Sequence, residues 1–142
     1  MTYSARDIPD QSGRVAIVTG GTAGIGYESV LALARKGCHV IFTARSTARG
    51  EETLAKIKSV LEPASFQVEY AVVNNEDLES ISAFAASVLA RNLPLHVLLL
   101  NAGVSMVPVV SRGSRNQHTN GGAAHSRETW RRVLITTEQN QD

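Results

Sequence analysis

Short apolar runs alternate with segments whose apolar residues recur every three or four positions over the first hundred residues. Val15-Ala16-Ile17-Val18 and Val40-Ile41-Phe42 are continuous, as a strand covered on both faces requires. The first therefore reads as a strand over about 14–19, the second as a strand centred on 40–42. Tyr27, Val30, Leu31 and Ala34 have helical spacing, which predicts a helix over about 24–36 that Gly37 ends after Arg35 and Lys36. A second helix, about 47–61, carries Leu54, Ile57 and Leu61 on one side and stops before Pro63. Phe66, Val68, Tyr70 and Val72 alternate and place a third strand at about 66–73. A third helix, about 76–91, has Ile81, Phe84, Ala85 and Val88 as its buried stripe and Glu76 and Asp77 at its positive end. Pro94 interrupts, and 95–100 is a fourth strand. The order βαβαβαβ specifies an α/β fold, a parallel sheet with right-handed crossovers and helices on both faces.

The ends of the chain differ from this middle. Residues 1–13 read as an extended polar N-terminal lead, with Pro9 and Gly13 as punctuation. From Ser111 to Thr129 the only hydrophobic residues are Ala123 and Ala124. Such a segment buries too little apolar surface to offset its ordering entropy, so 111–142 is expected to be a polar, basic, disordered tail. It holds five arginines and no lysine against three acids, whereas the first 110 residues hold nine basic groups against ten acidic ones. At 142 residues the chain fits a single domain, and a net charge of +1 favours no class of partner. A lone cysteine, Cys38, excludes an internal disulfide and fits a core position in a reducing compartment. No apolar leader and no run of 18 apolar residues is present, so a cytoplasmic location without a membrane span is expected.

The chemistry concentrates at Thr19 to Gly26, TGGTAGIG, where the first strand turns into the first helix. A helix start has unpaired N–H groups and a positive dipole end, which suits a pyrophosphate. Gly20 would allow the tight turn, Gly24 the approach of a ligand to the backbone, and Gly26 the close packing of helix on strand. The spacing Gly-x-x-x-Gly-x-Gly resembles the short-chain dehydrogenase/reductase family. So does Leu98-Leu99-Leu100-Asn101-Ala102-Gly103, similar to the family's Asn-Asn-Ala-Gly but with Leu100 at the first Asn. DIPDQSGRVAIVTGG and the Arg after the second strand look most like the branch of retinol dehydrogenases and WW-domain oxidoreductases. The resemblance covers residues 8 to about 110.

It implies a Rossmann-like sheet of order 3-2-1-4, ending after about the fourth strand, and a dinucleotide site. The implied cofactor residues are Gly20, Thr22, Ala23, Gly24, Ile25 and Gly26 in the first loop. Arg45 and Ser46 follow strand two, Asn74 follows strand three, and Asn101, Ala102 and Gly103 follow strand four. No acid lies between Gly37 and Gly50, so Arg45 stands where a ribose 2′-phosphate would sit, which implies NADP rather than NAD. Asn74 replaces the usual Asp, and its amide oxygen can still accept from the adenine amino group.

The family's catalytic pair is Tyr-x-x-x-Lys. Four residues after Tyr3, Tyr27 and Tyr70 come Asp7, Leu31 and Asn74, and the only lysines are Lys36, Lys56 and Lys58. The expectation is the cofactor-binding half (14–110) of an oxidoreductase, with no catalytic residue and no substrate site of its own. The alternative is a non-catalytic nucleotide-binding or regulatory module that pairs with a full-length relative. His118 and His125 lack the spacing of a metal site. Five arginines with a lone Trp130 make a poor nucleic-acid surface. An apolar fourth strand left at the sheet edge would promote self-association.

Overall fold

The computed structural model describes residues 2–63 and 67–103. Four parallel strands, β1 (Val15–Val18), β2 (His39–Ala44), β3 (Val68–Val72) and β4 (Val97–Leu99), lie in the order β3-β2-β1-β4. Helices α1 (Gly24–Arg35), α2 (Thr47–Val60) and α3 (Leu78–Ala90) connect them. The order and the parallel sense agree with the sequence-based expectation. The tail, His118, His125, Trp130 and Phe66 lie outside the described residues.

Alternation along the strands builds two cores. Ala16, Val18, Val40, Phe42 and Val68 face α1 and α2, where they meet Val30, Leu31, Ala34, Cys38, Ile57 and Leu61. Val15, Ile17 and Ile41 face the other way onto Ile81, Phe84, Ala85 and Val88 of α3. Both faces of β1 are thus covered, and all four of its residues are buried. The anticipated α3 stripe is the buried one. Cys38 is buried in the α1–α2 core, and that burial pushes its thiol pKa up.

Helix ends follow local chemistry. α1 stops in a Schellman motif: Cys38 N–H donates to Leu33 O (3.2 Å) and Gly37 N–H to Ala34 O (3.0 Å), with Gly37 at φ +83°. Ser46 caps α2 by accepting from Arg49 N–H (3.3 Å), and Asp77 caps α3 by accepting from Glu79 N–H (3.0 Å). At the sheet's amino edge Glu69 Oε1 holds His39 Nε2 (2.9 Å) and Arg91 (2.7 Å), joining β2, β3 and the end of α3.

Four expectations are revised. The N-terminal lead is not wholly extended. Ser4 N–H and Oγ–H both donate to Asp7 Oδ2 (2.7 and 2.9 Å), forming a 3-10 turn over Ala5–Asp7 and holding the Asp7 carboxyl below its usual range. The lead is also fastened to the end of α1, where Gln11 N–H donates to Lys36 O (2.8 Å). Strand β2 runs on through Thr43 and Ala44, because pairing with Ala71 and Val72 continues past the apolar run. β4 is shorter than expected: Leu95 is buried against α3 ahead of the strand, and Leu100 is exposed after it. Finally, the alternation in β3 breaks at its end. Val72 is 48% exposed while Val73 turns into the α3 core.

A tight packing point yields a test of sign. A Cβ on Gly50 would fall 2.5 Å from Tyr70 Cε2 and 2.8 Å from its Cγ, a ring that also packs against Phe42. Helix propensity favours Gly50→Ala by about 1 kcal/mol, but overpacking costs roughly 1–3 kcal/mol. The substitution should therefore destabilise, as measured by the urea midpoint. In a Tyr70→Ala background it should become neutral or stabilising. Stabilisation in the unmutated background would contradict this packing.

Candidate functional site

Every residue singled out for the site follows the carboxyl end of a strand. The β1–α1 turn supplies Gly20 to Gly26, β2 leads into Arg45 and Ser46, β3 into Asn74, and β4 into Asn101, Ala102 and Gly103. A parallel sheet gathers these ends along one edge, where open α/β sheets carry ligands. Val73 N–H donates to Ala44 O (2.9 Å), so Arg45 and Asn74 leave the sheet on neighbouring strands.

The turn after β1 is held from both sides. Thr19 is buried; its N–H donates to Leu99 O (3.0 Å) and its Oγ1 accepts from Ala102 N–H (3.0 Å). Gly20 N–H donates to Thr43 Oγ1 (3.2 Å) on β2, and Gly20 O accepts from Asn101 Nδ2 (3.3 Å) after β4. Gly20 adopts φ +67°, and a Cβ there would sit 3.0 Å from Ala102 Cα. Gly24 adopts φ +55° and opens onto free space. The turn therefore needs glycine at these two positions for conformation, which was the expectation at Gly20 and is an additional reason at Gly24.

Gly26 is needed for another reason than the one expected. A Cβ there would overlap Gly20 O and lie 2.6 Å from Asn101 Nδ2, so it is the turn itself that needs the room. Close packing of helix on sheet falls to Gly21, whose Cβ would lie 2.5 Å from Phe42 Cβ and 3.1 Å from Val30 Cγ2. Thr19, Gly21 and Thr43 thus hold or pack against the turn, and none of them is among the implied cofactor residues. The available signal was a threonine directly after each of two apolar runs, Thr19 after Val15–Val18 and Thr43 after Val40-Ile41-Phe42.

α1 starts differently from its neighbours. Its N-cap, Ala23, has no side chain that can accept, and no acid lies in the first turn. In α2 and α3 a hydroxyl or carboxylate takes that place. The first N–H groups of α1 thus lack a side-chain acceptor, beside exposed Ala23, Gly24 and Ile25 and half-buried Thr22. Such a terminus suits an anion.

The remaining residues are a mixture. Arg45 is exposed, and among the described residues no carboxylate lies within ion-pair distance of it. Ser46 Oγ is engaged as the α2 cap. Asn74 Oδ1 accepts from Glu76 N–H (3.0 Å) in a local turn, which leaves one lone pair for another donor. Asn101 points its amide inward at Gly20 rather than out over the edge. Ala102 and Gly103 are exposed. A concavity of about 540 Å³ runs along α1, lined by Gly24, Ile25, Tyr27, Glu28, Ser29 and Ala32. Of the implied site it includes only Gly24 and Ile25, so the donor geometry of the edge locates the site better than this hollow does.

Known proteins share this sequence pattern and fold. The family described as short chain dehydrogenase matches residues 14–135, further than the motif resemblance, which covers residues 8 to about 110. The chain is 42% identical over 100 residues to human polyprenol dehydrogenase, covering 70% of this chain and 30% of that protein. It is 37% identical over 99 residues to human WW domain-containing oxidoreductase, covering 70% of this chain and 23% of that one. The chain thus spans about a third or less of the curated relatives it matches. Among solved structures it resembles a metagenomic short-chain oxidoreductase in complex with NADP. There the TM-score is 0.71 at 26% identity, covering 90% of this chain and 57% of the other.

Proposed function

The chain belongs to the short-chain dehydrogenase family, and from that membership we propose that it binds NADP(H) along the carboxyl edge, as the cofactor-binding part of an oxidoreductase. The observation that carries this is the uncapped start of α1 at the end of a turn held open by glycine. It offers backbone N–H groups and a positive dipole end to a pyrophosphate. The donor set therefore fits the group. Arg45 supplies the second half of the reading. Arg45 is exposed beside Ala44, and among the described residues no carboxylate lies within ion-pair distance to repel a 2′-phosphate. The related metagenomic enzyme in complex with NADP supports the same cofactor. Once bound, the dinucleotide would supply hydride chemistry to the whole oxidoreductase. What these residues contribute is its grip and its orientation.

No described helix is long and apolar enough to cross a membrane. Cys38 is a buried thiol, which accords with the reducing cytoplasm that this reading assigns to the chain.

The cofactor reading predicts tighter binding of NADPH than of NADH in a fluorescence titration. A charge-assisted contact to phosphate contributes about 1.5–3 kcal/mol, roughly ten- to a hundredfold in affinity. Arg45→Ala should remove most of that preference. Equal affinity of the unmutated chain for the two cofactors would overturn the assignment.

A second prediction concerns turnover. The sequence has no Tyr-x-x-x-Lys, and a positioned proton donor contributes about 10²–10⁴ in rate. This chain alone should not oxidise NADPH above background over a panel of aldehydes, ketones and quinones. The module reading is favoured by that same absence. It requires turnover to change when a full-length relative is added, whereas an isolated cofactor half would leave the relative's rate as it was. Steady turnover by the chain alone, lost in Gly24→Asp, would refute both.

A third concerns β4. Val97, Leu98 and Leu99 are half-buried and β4 is the last strand of the described sheet, with no lysine along it. We assign self-association to this edge. Sedimentation at micromolar concentration should show dimers or larger species that Leu98→Lys reduces. A monomer in the unmutated chain would exclude it.

A further inference from the structure

Thr43 is the one hydroxyl residue inside β2, between Ile41-Phe42 and Ala44, and it is almost fully buried. A strand buried on both faces gains nothing from a hydroxyl, and a buried polar group costs free energy unless it is hydrogen-bonded. Valine has the same shape and would serve the sheet as well. What the hydroxyl adds is an acceptor for Gly20 N–H at 3.2 Å, across 23 residues of chain. Without it that N–H would lose this hydrogen bond.

Gly20 lies at the hinge of the turn, in the left-handed region, with its carbonyl already taken by Asn101. Fixing both the N–H and the C=O of one residue fixes the plane of the two peptides that meet there. The direction in which the chain leaves toward Ala23 and the open start of α1 follows from those planes. Thr43 is also two residues from Arg45, with only the buried Ala44 between. The hydrogen bond thus joins the turn that would meet a pyrophosphate to the strand end that would meet a 2′-phosphate.

We propose that Thr43 is a positioning residue that sets the spacing between these two anion-binding points, so that one dinucleotide engages both at once. The inference rests on the cofactor reading above, and it deepens it. A ligand that spans both points gains from the fixed spacing; a ligand that reaches only one does not.

The test uses the full chain and two probes, NADPH, which spans both points, and adenosine 2′-monophosphate, which reaches only the Arg45 end. Thr43→Val removes the acceptor and keeps the shape, and Thr43→Ser keeps the acceptor. Thr43→Val should weaken NADPH by about tenfold, the effect of one hydrogen bond whose donor is left unpaired. The same variant should bind adenosine 2′-monophosphate as the unmutated chain does, and Thr43→Ser should retain NADPH affinity. In Thr43→Val the Gly20 amide should also lose protection from hydrogen exchange. Unchanged NADPH affinity in Thr43→Val would overturn the proposal, as would parallel loss of both probes. A Thr43→Val chain that does not fold, or a Thr43→Ser chain as weak as Thr43→Val, would make Thr43 a structural residue and overturn it too. Absence of NADPH binding to the unmutated chain would instead refute the cofactor reading itself.

Discussion

The backbone of Gly20 is the constraint on which the rest of the carboxyl edge depends. Its N–H is held from β2 by Thr43 and its C=O from the β4 end by Asn101. Thr19, one residue earlier, is held by Leu99 and Ala102. Two strands thus converge on two residues at the end of a third. Because those residues are fixed, Gly26 has no room for a side chain and α1 must start where it does. Because α1 starts there without a cap, its first donors face outward. An interior of apolar strands would form the sheet without any of this. The hydroxyls and the amide add a defined exit for the chain at the place where the sheet meets solvent.

The two edges of the sheet use charge in opposite ways. At the amino edge, Glu69 is shared by His39 and Arg91, and the charges neutralise one another while tying three elements together. Such partly exposed pairs contribute little each, so their value is in orientation more than in stability. At the carboxyl edge, Arg45 carries its charge without a carboxylate among the described residues. Asymmetry of this kind is what a sheet needs if one edge is closed and the other receives an anion.

Much of this was legible in the sequence because the relevant signals are local. The run Val15 to Val18 and the stripe Ile81, Phe84, Ala85 and Val88 declare burial by spacing alone, and both are buried as read. Glycine at position 20 declares a tight turn, and its φ is positive. The failures share the opposite property. The hydroxyl of Thr43 means nothing until Gly20 arrives from 23 residues away, and Gly21 looks like a spare glycine until Phe42 packs against it. Ser46 and Asn74, implied as ligand contacts, each also serve a neighbouring backbone N–H, a role that motif spacing does not show. The 3-10 turn at Ala5–Asp7 rests on one Ser–Asp pair, too short to produce a period.

The sequence distances of these contacts have a temporal consequence. Thr43 meets Gly20 across 23 residues, within a single strand-helix-strand unit. Asn101 and Ala102 meet Gly20 and Thr19 across 81 and 83. Closing the longer loop costs about 1 kcal/mol more in chain entropy. The longer contact must also wait until two further strands are in place. One side of the edge can therefore exist as soon as the chain has emerged through β2, while the other is completed only when β4 docks. A folding chain would carry a half-assembled edge from the emergence of β2 until that of β4, and the docking of its last described strand would be the event that locks it.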